Sequence, residues 1–234
     1  MTALSDFLIT RRWPPRNPRA IQLYSWPTPN GVKVSIALEE MGLAYDAHSV
    51  RIGQDDQLTP EFLSLNPNNK IPAIIDPEGP GGQPLALFES GAILIYLAEK
   101  KGKLLPLDPA GRYHAIQWLM FQMGGIGPMF GQLGWFGTGG GKDIEDPRPV
   151  ERYVMESARL LKVLEGQLQD GREWVAGEYS IADIAIAPWL RTLRDFYKAG
   201  EVTGFNSLTH MPEYLERFLA RPAVQRGLVQ PPRD

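Results

Sequence analysis

The order in which apolar periodicity changes along this chain restricts its fold more than any other feature. Ile21, Leu23 and Ser25 alternate with Gln22 and Tyr24, a short strand signal that stops at Trp26-Pro27-Thr28-Pro29-Asn30-Gly31. Val34, Ala37, Leu38 and Met41 then recur at helical spacing, and Gly42 stands where such a helix would end. A second strand is expected over Ala47 to Arg51 and a looser helix around Thr59 to Leu65, followed by the turn Asn66-Pro67-Asn68-Asn69. Ile71 to Ile75 and Leu85 to Phe88 read as a hairpin with a long Gly/Pro-rich loop, and a helix from Ser90 to about Lys101 closes this half. A β-α-β-α-β-β-α order needs a parallel crossover and then an antiparallel hairpin, so a mixed sheet with packed helices is predicted.

Beyond a linker at Gly102 to Pro109 the strand signals stop. Ile116, Leu119, Met120 and Met123 share one helical face, as do Val154, Ala158, Leu161 and Leu168, and later Met211, Tyr214, Leu215 and Phe218. The reading is therefore an N-terminal extension at 1–18, an α/β domain at 19–103 and an all-helical domain at 110–234. Between the first helices of the latter, Gly124 to Pro147 is rich in glycine and too poor in helix formers to continue either one; it reads as a mobile loop or a plain connector. Ser180 and Asp183 have the spacing of a helix capping box, with Tyr179 and Ile184 placed as its hydrophobic staple.

Composition removes several classes of function. Lys+Arg of 24 against Asp+Glu of 27 leaves no basic surplus to attract phosphate backbones, so nucleic acid is not an expected partner. The chain has no cysteine, which excludes disulfides, thiolate metal sites and any redox pair of its own; thiol chemistry must use a borrowed thiol. His48, His114 and His210 have no metal-ligand spacing, and no metal is expected. Apolar runs fall short of a membrane span, and Arg11, Arg12 and Arg16 stand where a signal core would be, so the expected compartment is the cytoplasm.

Local sequences narrow the fold further. Asn69-Lys70-Ile71-Pro72 is similar to the cis-proline segment of the glutathione transferases, Glu89-Ser90-Gly91-Ala92-Ile93-Leu94 to their Glu/Gln-Ser motif, and Ser180-Ile181-Ala182-Asp183 to their capping box. Together, in this order and spacing, they mark a resemblance to that superfamily from about Ala20 to Leu228. Thr28-Pro29-Asn30-Gly31, Ser64 to Lys70, Gly124-Gly125-Ile126-Gly127-Pro128 and Glu151-Arg152-Tyr153 resemble the bacterial nu class, described as glutathione-dependent disulfide-bond reductases. The resemblance implies a thioredoxin-like N-terminal domain, a helical C-terminal domain and a homodimer. It also implies glutathione as co-substrate, as one or two molecules or as glutathione disulfide.

Each part of glutathione then has a candidate partner. Ser90 at a helix N-terminus suits the γ-glutamyl carboxylate, and Glu89 the α-amino group; a plain helix cap is the alternative for Ser90. A cis bond before Pro72 would turn the Ile71 backbone toward the cysteinyl unit. Gln57 and Lys70 lie where the resemblance implies contacts to the glycyl end, and the planar fork of Arg152 could pair with a glutathione carboxylate; a solvated surface group is the alternative for each. The thiolate is assigned to Thr28, Asn30 and the backbone N–H groups that open the first helix, where helix capping is the competing role. Tyr24, on the strand before this turn, is the rival. Trp135, Phe136 and Met129 are candidates for a second-substrate wall.

Three functions share these residues. The first is reduction of a small disulfide by glutathione, the second is glutathione transfer to an electrophilic small molecule, and the third is non-catalytic glutathione binding for regulation.

Overall fold

The computed structural model describes residues 3–233, which form two compact units: 3–103 together with 222–233, and 104–221. The first unit holds β1 (Ile21–Ser25), α1 (Gly31–Met41), β2 (Tyr45–Ser49), α2 (Pro60–Leu63), β3 (Ala73–Asp76), β4 (Leu85–Phe88) and α3 (Ser90–Lys101). The sheet order is β2-β1-β3-β4, with β1 and β2 parallel and the other pairs antiparallel, which is the mixed thioredoxin-like sheet predicted. Strand β2 begins two residues earlier than expected, because Ile21 of β1 pairs with Tyr45 and Ser25 with Ser49. Helix α2 is only one turn, capped by the Thr59 hydroxyl on the Phe62 N–H.

Helix α1 is buried on nearly every side, from Gly31 through Leu38 and again at Met41, and ends on Gly42 at φ 64°, a conformation that glycine adopts without a Cβ penalty. A Cβ on Gly31 would lie 1.9 Å from the Trp26 carbonyl oxygen, so only glycine lets the strand turn this sharply into the helix.

The second unit holds α4 (Pro109–Phe121), α5 (Gly127–Gly137), α6 (Arg148–Leu168), α7 (Ile181–Arg191) and α8 (Met211–Leu219), with no strand among its named elements. Two expectations are corrected here. Gly124 to Pro147 is not a single loop: a π-helical turn over Gln122–Ile126 carries α4 directly into α5, and only 138–147 is irregular. Side-chain packing overrides weak helix propensity: a Cβ on Gly134 would lie 2.2 Å from the Tyr197 ring and one on Gly127 2.7 Å from Gln122 Nε2, while Gly131 packs in van der Waals contact with the Trp189 ring. The second correction concerns the tail. Residue spacing assigns 110–234 to one helical domain, but α9 (Pro222–Gly227) packs on α1, where the Ser35 hydroxyl donates to the Gly227 carbonyl at 2.7 Å.

Residues 3–18, within the expected N-terminal extension, also build the first unit. Ile9 is fully buried, and Leu4, Phe7 and Trp13 pack on the face of the sheet that holds Tyr24, Val50, Phe62 and Ile75. Arg12 pairs with Asp56, and Arg16 with Asp46, through a side-chain contact of 2.6 Å. Among the described residues no helix is long and apolar enough to cross a membrane.

Candidate glutathione site

Strand register gathers the predicted residues. Because Tyr24 pairs with Ala73 and Ala73 with Phe88, the end of β1, the start of β3 and the end of β4 lie side by side. The parallel pair Ser25 and Ser49 brings the end of β2 to the same edge. Thr28 and Asn30 leave that edge after β1, Gln57 follows β2, Lys70, Ile71 and Pro72 precede β3, and Glu89 and Ser90 follow β4. Residues scattered over some sixty positions of sequence therefore share one end of the sheet, outside the carboxyl ends of the parallel strands, where open α/β sheets commonly bind ligands.

The local chemistry at that edge is specific. The Thr28 hydroxyl accepts the Gly31 N–H at 3.1 Å, and the Thr28 carbonyl accepts the Val32 N–H at 3.0 Å. Thr28 thus caps α1 while its own hydroxyl proton remains able to donate. Asn30 is helical at φ −80°, ψ −38° and immediately precedes α1. The Ile71–Pro72 bond is cis, as expected, and the Ile71 backbone N–H and C=O have no partner among the described residues. The side chain of Asn66 fixes the preceding turn, donating to the Lys70 carbonyl at 2.6 Å and accepting the Asn68 N–H at 2.9 Å. Lys70 is exposed, and the buried Gln57 Oε1 has no hydrogen-bond partner among the described residues. Glu89 sits at φ 71°, ψ 111°, a region that costs a non-glycine residue energy and recurs at binding sites. Ser90, buried, is the first residue of α3.

Tyr24 faces away from this chemistry. Its side chain is fully buried on the opposite face, stacked on His48 at 4.8 Å and edge-on to Trp13 at 6.3 Å. Burial, and then the nearby Asp46, push its phenol far above the ordinary range. A neutral hydroxyl held in that core is not placed to stabilise a thiolate.

The glutathione S-transferase N-terminal domain family matches residues 28–100, and the C-terminal domain family residues 139–222. The disulfide-bond oxidoreductase YfcG of Escherichia coli K12 is 49% identical over 90% of this chain and 95% of its own length. The chain belongs to the glutathione transferase family. YghU of the same organism, also named a disulfide-bond oxidoreductase, is 41% identical over 89% of this chain and 74% of its own. A glutathione transferase from Pseudomonas putida, solved with one glutathione disulfide per subunit, is 64% identical with a TM-score of 0.97, covering 98% of this chain and 100% of its own. One from Burkholderia graminis, with two glutathione molecules per subunit, is also 64% identical with a TM-score of 0.97, covering 100% of this chain and 98% of its own.

The remaining predicted residues lie in the second unit. Arg152 is on α6, with an exposed guanidinium 3.9 Å from Glu156, a spacing loose enough to leave its planar fork available to another anion. Phe136 stacks on Tyr153 at 5.6 Å and meets the Trp135 ring edge-on at 4.6 Å, while Trp135 is half exposed. These rings form an aromatic patch at the end of α5.

A further polar side chain stands at the sheet edge, outside the motifs. Lys33 is fully buried and its Nζ donates to Ser90 Oγ at 3.3 Å. Burial draws its ammonium down to about 7, against the opposing pull of Glu89. The signal was present in the sequence, since Lys33 shares a helical face with Ile36 and Ala37, three and four residues on.

Proposed function

We propose that this protein is a glutathione-dependent disulfide-bond oxidoreductase of the nu type that uses the thiolate of bound glutathione. The observation that carries the reading is the gathering of Thr28, Ile71 and Ser90 at one sheet edge in a chain with no cysteine. The names of YfcG and YghU, and the glutathione or glutathione disulfide held by the Pseudomonas and Burkholderia proteins, support it.

Each residue has a task. The α3 N-terminus at Ser90 receives the γ-glutamyl carboxylate, and Glu89 pairs with the α-ammonium. The unpaired Ile71 backbone takes the cysteinyl unit as an added strand would be taken. The Thr28 hydroxyl and the Asn30 amide donate to the sulfur and favour its ionised form. The thiolate attacks one sulfur of the substrate disulfide, forming a glutathione mixed disulfide and releasing the other sulfur as a thiolate that takes up a proton. A second glutathione thiolate attacks the glutathione sulfur of that mixed disulfide, giving glutathione disulfide and the second substrate thiol. Two electrons pass from two glutathiones to one disulfide, and no bond to the protein forms. A site of this kind holds two glutathiones or one glutathione disulfide.

The test uses the absence of cysteine. Pretreating the protein with a thiol alkylator, removed before assay, should leave glutathione-dependent reduction of a small disulfide unchanged. Inactivation would refute a borrowed-thiol mechanism. Faster turnover of a chlorinated nitroarene than of the disulfide would favour transferase chemistry, and binding of glutathione with no turnover of either would favour a regulatory module. From the resemblance we also propose a cytoplasmic homodimer. Sedimentation should give twice the 26.1 kDa chain mass, and fractionation should find the protein in the cytoplasm.

A further inference from the structure

The segment between β2 and α2 is held together by residues from outside it. Two short 3-10 turns, 52–54 and 56–58, meet at Asp55, whose φ of 59° is uncommon for a residue with a side chain. Asp56 is the knot of this turn. Its carbonyl accepts the Thr59 hydroxyl at 2.8 Å, its carboxylate Oδ2 accepts the Arg51 N–H at 2.9 Å, and Oδ1 accepts Arg12 Nη2. Trp13, the next residue of the N-terminal extension, donates its Nε1 to the Ser49 carbonyl at 3.0 Å, where the chain leaves β2. The Arg12 guanidinium also lies over the Trp13 ring, 5.1 Å from its centroid. Two adjacent residues of the extension thus grip the turn, one at its entrance and one at its knot. They are themselves anchored, since Ile9 and Trp13 pack in the apolar cluster of Val50 and Phe62, which flank the turn on either side.

With Arg12 half exposed, this ion pair adds little to stability by itself. Its consequence is geometric. Gln57 follows Asp56 directly, and Gln57 Oε1 is buried with no hydrogen-bond partner among the described residues. A buried acceptor left without a donor is costly, and that cost is recovered when a ligand brings an N–H to it. At the glycyl end, where the resemblance puts Gln57, glutathione carries one such group, the glycyl peptide N–H. The Nε2 of the same carboxamide is a donor suited to the adjoining carboxylate.

Resting on the glutathione reading above, we propose that Arg12 is a positioning residue for the glycyl end of glutathione, fixing through Asp56 the turn that presents Gln57 Oε1 to the glycyl N–H. The N-terminal extension thereby sets the preference for the tripeptide over γ-glutamylcysteine, the dipeptide without that N–H. Removing the Arg12 fork leaves the Asp56 carboxylate with the Arg51 N–H alone among the described residues. A turn that includes a left-handed Asp55 then relaxes, because such a conformation persists only where its surroundings over-determine it. Gln57 is carried with it, while Ser90, Ile71 and Thr28 stand on other segments and keep the rest of the ligand.

The experiment is calorimetry of the full-length protein with glutathione and with γ-glutamylcysteine. Arg12→Met should bind glutathione roughly two- to tenfold more weakly, the size of one neutral hydrogen bond, and bind γ-glutamylcysteine as wild type does. In turnover its KM for glutathione should rise by the same factor while kcat hardly changes, and Arg12→Lys, which keeps the charge, should recover part of the loss. Gln57→Ala should show the same selective loss, and adding Arg12→Met to it should cost nothing more, because both changes remove one contact. Asp56→Asn keeps an acceptor for the Arg51 N–H and drops the ion pair, so it reads the same loss if Arg12→Met does not fold. A folded Arg12→Met or Asp56→Asn with the wild-type preference for glutathione overturns the inference. Equal weakening of both ligands, or additive losses in the double variant, does so too. Failure of folded wild type to bind either ligand would instead sink the glutathione reading, and the inference with it.

Discussion

Replacing Thr28 by alanine removes two interactions at once, and their sizes differ enough to be separated. The Thr28 hydroxyl accepts the Gly31 N–H at 3.1 Å, so its loss uncaps α1, at a cost of about 1 kcal/mol in stability. The same hydroxyl is the proposed donor to the glutathione thiolate, and losing a hydrogen bond to a charged acceptor costs about 1.5–3 kcal/mol. That corresponds to a loss of roughly ten- to a hundredfold in turnover. Thr28→Ser keeps both interactions and should retain most of the rate. Tyr24→Phe is the informative control. The Tyr24 hydroxyl is buried with no hydrogen-bond partner among the described residues, so its removal should leave activity unchanged and raise stability, on the order of 1 kcal/mol. The assay pairs disulfide reduction with a pH titration of bound glutathione by thiolate ultraviolet absorbance. Thr28→Ala should move that ionisation to higher pH, as should Asn30→Ala. Loss of activity in Tyr24→Phe, with both turn variants near wild type, would refute the reasoning and assign the sulfur to the tyrosine.

Other outcomes follow from the same geometry. Gly31→Ala forces a Cβ to 1.9 Å from the Trp26 carbonyl oxygen and 2.6 Å from Ser25 Oγ; the backbone must shift, so the unfolding free energy from equilibrium denaturation should fall by about 1–3 kcal/mol or more, with weaker glutathione binding by calorimetry. Asn66→Ala loses the bonds that shape the turn before Ile71. It should raise KM for glutathione more than it lowers kcat. Burial holds His48 down at about 4, although Asp46 resists. The unfolded chain therefore binds more protons than the folded one between the ordinary histidine value and about 4, and stability is lost as pH falls through that window. Equilibrium denaturation from neutral pH to about 4 should show wild type losing about 3 kcal/mol more than His48→Gln, the energy equivalent of the depressed value. An equal slope in both proteins would exclude His48 as the source.

What the sequence determined by itself was the part of the fold written in local periodicity and punctuation. The strand Ile21 to Ser25, the helix stopping at Gly42, the helix Ser90 to Lys101 and the capping box at Ser180 and Asp183 all appear where residue spacing puts them. Most candidate site residues were also legible, because each belongs to a short motif beside a strand end. Tertiary structure alone decided the rest. The helicity of 127–137 depends on the Trp189 and Tyr197 rings lying over glycines, a contact between residues some sixty positions apart that propensity cannot express. The extension at 3–18 and the tail at 222–233 join the first unit because Ile9 finds the sheet face of Tyr24, and Gly227 the surface of α1. In sequence, Lys33 shares a helical face with the apolar Ile36 and Ala37, which points it inward but does not say what it meets. Only when α3 and α9 close over α1 does it become a buried ammonium against Ser90, since burial is a property of what covers a residue and leaves no mark on the residue itself.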